Sequence, residues 1–335
     1  MKKIIVTGGL GFIGSNLVEF LIKKKFFVII VDNYSYSSNL QNLKNIPKNK
    51  FKIYNCDINN KKKIKNIFKK YNPICVFNLA AETHVDRSID NPNQFIKSNI
   101  YGVFNLLEVL RNFKNIKLIH ISTDEVYGDI PKSKFSKEND PYIPSSPYAA
   151  SKACSDLLIK SYIRTYKLNC IITNCSNNYG PKQFPEKLIP KIIINLLSGK
   201  NIPIYGNGKN EREWIYVEDH CNALFKIFKT GKAGEQINIG SNEIFTNLQI
   251  AKKILKQFKE LGNHTKSKII FVKDRPGHDK RYALNSNKLK INFKWKRNTN
   301  LTKGLKKTIK WYLENKSWIR NLDKSKYNRR LGNKE

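Results

Sequence analysis

The chain has 335 residues and a formal net charge of +36, from 62 Lys and Arg against 26 Asp and Glu. That length supports a sizeable core in one large domain or two closely joined ones, and no run of about 18 apolar residues offers a membrane span. Six cysteines with no Cys-x-x-Cys spacing and five histidines with no ligand pair at helical spacing argue against a disulfide framework and a metal site.

The charge taken alone suits a nucleic-acid surface, and a basic nucleic-acid-binding or scaffold protein is the rival class. The basic residues are spread along the chain, however, and the longest run, Lys61-Lys62-Lys63, opens a surface helix. A solvated surface is the better reading, with neither nucleic acid nor membrane as partner. Met1 leads directly into the strand-like Ile4-Ile5-Val6, which leaves no room for a targeting segment and points to the cytoplasm.

In chain order, a strand over 3–7 runs into Gly8-Gly9-Leu10-Gly11-Phe12-Ile13-Gly14 and a helix over 12–24. Glycines in that pattern give a tight turn, let backbone approach a pyrophosphate, and pack the helix closely. A second strand over 27–31 ends at Asp32, about where an acidic residue takes the adenosine ribose hydroxyls; a carboxylate there repels a 2′-phosphate, so NAD is favoured over NADP. A third strand, 51–55, is followed by Asp57 and Ile58, positioned to meet an adenine ring. After a helix over 61–70 and a strand over 74–78 come Leu79, Ala80, Ala81 and Glu82, small side chains where backbone passes close to a ligand.

A helix over 94–111 and a fifth strand over 116–121 lead to Thr123, Asp124 and Glu125, at the strand's carboxyl end, where open α/β sheets bind ligands. By themselves these three fit the N-cap of a following helix. Tyr148 and Lys152 change that reading: at i and i+4 behind Pro147, on a helix over 148–166, they share one face. An ammonium and a nicotinamide cation beside the phenol favour its ionised form, which makes Tyr148 a base. A hydroxyl oxidised there becomes a ketone and acidifies the neighbouring carbon. A carboxylate pair close by then removes that proton and expels a hydroxyl. Oxidation, elimination and reduction in one site is the chemistry this set suggests.

With a sixth strand over 169–173, the alternation predicts an α/β fold: a Rossmann-like doubly wound parallel sheet with a smaller, mixed C-terminal substrate-binding part. Residues 1–176 form the NAD-binding domain, to which a strand over 236–239 returns. Residues 177–320, broken by prolines and by Gly206-Asn207-Gly208, mainly bind substrate; they include a strand over 268–272 and helices over 248–258 and 301–313. Residues 321–335 are a basic tail expected to fray.

The glycine pattern, Ala81-Glu82-Thr83-His84-Val85-Asp86-Arg87-Ser88, the run from Ser122 to Gly128, Ser145-Ser146-Pro147-Tyr148, Cys175-Ser176-Asn177-Asn178-Tyr179-Gly180, Phe184-Pro185-Glu186-Lys187-Leu188-Ile189-Pro190 and Asp274-Arg275-Pro276-Gly277-His278 follow one another in order. Together they resemble the nucleotide-sugar 4,6-dehydratases that act on dTDP-glucose, in the extended short-chain dehydrogenase/reductase family. Thr-Asp-Glu is the most discriminating part, since related sugar epimerases lack the Asp-Glu pair. The resemblance implies that Tyr148 takes the proton from the sugar 4-hydroxyl as hydride leaves C4 for NAD, with Thr123 near O4 and Lys152 on the nicotinamide ribose. It implies that Glu125 removes the C5 proton, Asp124 protonates the departing 6-hydroxyl, and hydride returns to C6. Such a site demands a protonated Asp124 beside an ionised Glu125.

The same resemblance implies NAD contacts from Gly8, Gly11, Phe12, Ile13, Gly14, Asp32, Asn33, Tyr34, Ser35, Asp57, Ile58, Leu79, Ala80, Ala81, Glu82, Ser98 and Asn178, besides Tyr148 and Lys152. For the nucleotide sugar it implies Thr83, Asn177, Lys187, Leu188, Pro203, Ile204, Tyr205, Arg212, Asn247, Asp274, Arg275, Pro276, Gly277 and His278. The fork of Arg212 suits a diphosphate. A homodimer joined through helices beginning near Gln94 and Tyr148 is also implied. A UDP- or CDP-glucose substrate is the nearer alternative.

Overall fold

The computed structural model describes residues 1–327. Its strands are β1 (Lys3–Thr7), β2 (Phe27–Asp32), β3 (Phe51–Asn55), β4 (Cys75–Asn78), β5 (Lys117–Thr123), β6 (Cys170–Cys175), β7 (Asn177–Tyr179), β8 (Ile202–Tyr205), β9 (Glu211–Tyr216), β10 (Gln236–Ile239), β11 (Ile244–Thr246) and β12 (Ile269–Val272). Seven of them form one sheet in the order β10-β6-β5-β4-β1-β2-β3, every pair parallel. β1 shows why: Ile4 and Val6 point into one apolar cluster and Ile5 into another, and all three are fully buried. Burial of each such side chain contributes about 1.5–3 kcal/mol.

The principal helices are α1 (Phe12–Lys23), α2 (Lys61–Tyr71), α3 (Gly102–Leu110), α4 (Pro147–Tyr166), α5 (Leu188–Leu197), α6 (Val217–Thr230), α7 (Asn247–Glu260) and α8 (Leu301–Glu314). α1 and α6 cover one face of the sheet, α2, α3 and α4 the other. α4 starts where its sequence says it should: the Ser146 hydroxyl accepts from the Ala149 amide at 3.1 Å, and Pro147 holds the first helical position. No helix among the described residues is long and apolar enough to cross a membrane.

The strand order reverses between β1 and β4, and a crevice opens beyond their carboxyl ends. Over it lies a second apolar core, built from α5, α7, α8 and the small sheets β11-β9-β7 and β12-β8, and centred on Tyr179, Trp214, Ile254, Tyr312 and Trp318.

Several elements differ from expectation. The helix expected over 94–111 is interrupted by a π-helical segment, Ile96–Tyr101, before α3. The wide turn coincides with Asn99, whose amide accepts from the Glu82 N–H at 2.9 Å and donates to its carbonyl at 3.0 Å. α6 was not anticipated, because Asp219 and His220 interrupt its apolar stripe although both are buried. It packs on α1 against the sheet, away from the core formed by α5, α7 and α8. β9 was hidden for a similar reason: its Arg212 and Glu213 are charged and buried. The start of the expected basic tail is anchored. Leu322 and Tyr327 are buried, Tyr327 stacks edge-on against Phe184, and Lys191 donates to the Tyr327 carbonyl at 2.8 Å. The rest of that tail, 328–335, lies outside the described residues.

α8 approaches β7 at Gly304, where an added Cβ would stand 2.1 Å from the Tyr179 hydroxyl. Gly304→Ala is expected to destabilise the fold by about 1–3 kcal/mol through overpacking, read as a lower denaturation midpoint with an unchanged m-value.

Candidate active site

One cleft of about 580 Å3 runs from the glycine turn to the second core. At its inner end Gly8 has φ +65°, and a Cβ there would lie 2.8 Å from the Ala80 amide nitrogen. Gly14 is tighter still, since its Cβ would meet the Gly8 carbonyl at 2.1 Å. α1 therefore begins hard against the turn, and no side chain caps it. Its first N–H groups remain for an anion. This cradle fits a dinucleotide pyrophosphate.

Asp32 does more than line the cleft. Its carboxylate accepts from the Leu10 amide at 2.9 Å, the Tyr34 amide at 3.0 Å and the Ser38 hydroxyl at 2.7 Å, so it ties the glycine turn to the loop after β2. Asp57 accepts from Asn33 at 2.9 Å and from the Asn59 amide at 2.8 Å. Burial would raise its pKa, and these hydrogen bonds bring it below the ordinary value.

The reactive end is built where β5 stops. Thr123 is the last strand residue, and a 3-10 turn, Asp124–Tyr127, follows at once. The Thr123 hydroxyl accepts from the Glu125 amide at 3.3 Å and donates to Asp124 Oδ1 at 3.1 Å. Thr123 thus caps the turn, and Asp124 and Glu125 both line the cleft.

Their surroundings differ. Asp124 is buried, its Oδ2 has no hydrogen-bond partner, and burial followed by the charges of Glu125 and Glu213 holds its pKa well above the usual carboxylate range. Glu125 is also pushed up by burial, but Arg275, Arg212 and Lys187 pull against it. Burial and like charge thus oppose the anion of Asp124 more strongly, and Glu125 is the carboxyl whose charged form the cations favour.

Tyr148 lines the same cleft and lies edge-on to Phe95. Burial, then Glu125 and Cys175, push its pKa well above the ordinary value, while a hydrogen bond with Thr123 works the other way. The protein alone therefore does not make the phenolate, contrary to the simplest expectation for a Tyr/Lys pair. Lys152 donates to the Ile121 carbonyl at 2.8 Å and lies 3.3 Å from His120 Nε2. Its pKa falls to about 8, chiefly by burial.

On the outer side, Arg275 donates to Asp86 Oδ1 at 2.7 Å, and Tyr205 donates to Asp86 Oδ2 at 2.8 Å. Arg212 stacks over the Tyr282 ring at 4.3 Å and donates to the carbonyls of Glu211 and Asp279 at 2.8 and 2.9 Å. Two of its five N–H donors are thereby spent on backbone, and they fix where the guanidinium sits.

Of the residues expected from sequence, the cleft gathers all but Tyr34, Asp274, Pro276 and Gly277. Tyr34 is on the surface, with φ +54°, and contributes its amide to Asp32. Asp274 accepts from His278 Nδ1 at 2.6 Å and orients that ring, while Pro276 and Gly277, the latter at φ +61°, form the turn between them. Asp86, Glu186, Cys175, Ser38 and Tyr282 line the cleft without having been singled out. Asp86 and Glu186 stood inside the quoted motifs, but nothing local shows that a carboxylate will meet an arginine some 190 positions away.

A parallel sheet with a glycine cradle at its switch point and a Thr-Asp-Glu, Tyr, Lys set at the end of β5 defines a dinucleotide-dependent sugar-nucleotide enzyme class. The chain belongs to the family described as GDP-mannose 4,6 dehydratase, which it matches over residues 5–308. It is 44% identical to the dTDP-glucose 4,6-dehydratase of Salmonella typhimurium, over 97% of this chain and 96% of the relative. It is 43% identical to the dTDP-glucose 4,6-dehydratase of Neisseria meningitidis, over 99% of both. Among solved structures, the Streptomyces venezuelae dTDP-glucose 4,6-dehydratase with NAD and TYD bound superposes with a TM-score of 0.90 at 37% identity, covering 96% of this chain and 100% of that one.

Removing the Asp86 carboxylate leaves the Arg275 guanidinium without its counter-ion. Asp86→Ala is expected to cost about 3 kcal/mol of stability, measured by urea denaturation, and a loss under about 0.5 kcal/mol would show the pair to be idle.

Proposed function

We infer that this chain catalyses the NAD-dependent dehydration of dTDP-glucose to dTDP-4-keto-6-deoxyglucose. The observation that carries this reading is the presence of Asp124, Glu125 and Tyr148 in one cleft, with the two carboxyls in unlike surroundings. NAD supplies the hydride acceptor and donor, taking the hydride of C4 and returning it at C6. The chain's own residues move the protons. Tyr148 takes the proton of the 4-hydroxyl, with Thr123 directed at O4. Glu125 removes the C5 proton once the neighbouring carbonyl has acidified it. Asp124, kept protonated by burial, hands its proton to the departing 6-hydroxyl, and its unpartnered Oδ2 is the atom free to do so. As hydride reaches C6, Glu125 returns a proton to C5, and the proton taken up by Tyr148 makes good the one Asp124 gave away, so water is the only net loss.

On this reading residues 1–176, with β10, hold the cofactor, and residues 177–320 mainly hold the nucleotide sugar. Lys187, Arg212 and Arg275 face the diphosphate side. Five of the six cysteines are buried as single thiols, which supports a reducing compartment such as the cytoplasm.

The test is incubation with dTDP-glucose and NAD: a 4-keto-6-deoxy product without net NADH is expected, and faster turnover of UDP- or CDP-glucose would reassign the base. Glu125→Gln should lose exchange of the C5 proton with solvent, and Asp124→Asn should slow dehydration about 10²–10⁴-fold while the 4-keto sugar accumulates. The pH profile follows from the same two groups. Activity is lost on acidification as Glu125 protonates, at a pH above the ordinary carboxylate range, and on alkalinisation as Asp124 ionises. Asp124→Asn should abolish the alkaline limb that Asp124 sets.

We also propose a homodimer. Ile96 and Tyr101, on the segment leading into α3, Phe104 on α3 and Leu157 on α4 are exposed apolar side chains on neighbouring helical elements. Tyr101→Glu combined with Leu157→Glu should convert a dimer to a monomer in sedimentation analysis; an unchanged mass would place the contact elsewhere.

A further inference from the structure

Behind Lys152 lies a buried polar network that the proposed chemistry does not use. Tyr148, Lys152 and Asp156 stand one turn apart along α4. Asp156 is wholly buried. Its Oδ2 accepts three hydrogen bonds, from Ser122 at 2.8 Å, Tyr142 at 3.0 Å and Asn174 at 3.2 Å; burial raises its pKa, and Lys152 and these three donors pull it back toward the anion. Its Oδ1 makes no hydrogen bond and lies 3.5 Å from His120 Nε2.

The hydrogen on His120 can be assigned. Thr7 Oγ1 accepts from the Ala80 amide at 3.1 Å, so its own proton goes to Asn78 Oδ1 at 2.6 Å. That turns the Asn78 NH₂ toward His120 Nδ1, 3.0 Å away, and makes Nδ1 an acceptor. Burial, then Lys152, drive the His120 pKa well below its ordinary value, so the ring is neutral and its one N–H is on Nε2. That N–H faces Ser155 Oγ at 3.3 Å and Asp156 Oδ1, with Lys152 Nζ also 3.3 Å off.

The charged or titratable groups around Lys152 are therefore few. They are His120 from β5, Cys175 from β6, and Tyr148 and Asp156 from its own helix; Tyr142, from the loop before α4, reaches Asp156. Burial has raised the Cys175 thiol to about 12, so it is neutral at physiological pH. Asp156 is the one anion in this set, and it favours the charged form of Lys152 against desolvation.

We propose that Asp156, with neutral His120 packed beside it and Lys152, is the positioning residue that keeps Lys152 an ammonium and so lets Lys152 draw the proton off Tyr148. This rests on the dehydratase reading above. Asp156 touches neither the cleft nor a reacting atom, and it acts through Lys152.

The test has two arms on the NAD-loaded enzyme. In the first, lysine side chains carrying a 13C label are titrated by NMR, with Lys152→Arg identifying the Lys152 signal. Asp156→Asn, close in shape, is expected to lower the Lys152 midpoint by about one pH unit or more, a tenfold loss of proton affinity. Asp156→Ser, smaller and also neutral, should move the midpoint the same way. In the second arm, single-turnover NADH formation from dTDP-glucose is followed against pH. The alkaline limb, where Lys152 loses its ammonium, should move down by about one unit in Asp156→Asn, with a rate about tenfold slower above that limb. An unchanged Lys152 midpoint in folded Asp156→Asn overturns the proposal, as does a slower rate with unmoved limbs, which marks Asp156 as structural. Should Asp156→Asn not fold, Asp156→Ser decides by the same criteria. A shifted Lys152 midpoint in an enzyme that does not turn over dTDP-glucose supports the electrostatic assignment and sinks the functional reading instead.

Discussion

Everything in this site depends on two carboxyl groups, adjacent in the chain, sharing one poorly hydrated cleft without sharing a protonation state. Two anions at that separation in low dielectric repel strongly. The fold resolves the conflict by location. Burial and the charges of Glu125 and Glu213 oppose the ionisation of Asp124, whereas Arg275, Arg212 and Lys187 act in favour of the Glu125 anion. The turn that permits this is a few residues long and begins at a threonine bonded to both neighbours.

The cations that make Glu125 different are themselves held in place. Arg275 leans on Asp86, which follows β4, and Arg212 is clamped by the carbonyls of Glu211 and Asp279 beneath the face of Tyr282. One carboxylate of the first sheet thus fixes a guanidinium of the overlying part, and that guanidinium biases a carboxylate back in the first sheet. The electrostatics and the closure of the cleft are one arrangement. Asp32 plays a comparable part at the other end, joining the glycine turn to the loop after β2.

Much of this was legible residue by residue. The strand–helix alternation, the glycine turn, Asp32, the Thr-Asp-Glu run and the Tyr/Lys pair are local patterns, and local patterns survive in a linear reading. What failed had non-local causes. β9 and α6 carry charged or polar residues that become buried only because distant segments supply partners: Glu213 accepts from the amides of Asn242 and Leu284, and Asp219 from those of Asn298 and Thr299. A helix interrupted at Asn99 looks continuous until Glu82 and Ser151 are seen to claim the side chain. Tyr34 and Asp274 sit in the right motifs but serve their neighbours' backbones and rings.

The amino-acid sequence by itself determined the parallel α/β sheet, the glycine turn and the local runs that carry Thr123, Asp124, Glu125, Tyr148 and Lys152. Each of these is written in residues close together along the chain, where periodicity and steric rules apply. Only the tertiary structure decided which carboxyl keeps its proton, that Tyr148 is not ionised by the protein alone, and that Asp156 stands behind Lys152 with His120 at its side. Those outcomes are set by desolvation and by charges brought together from separate strands and loops, quantities that do not exist until the chain has folded.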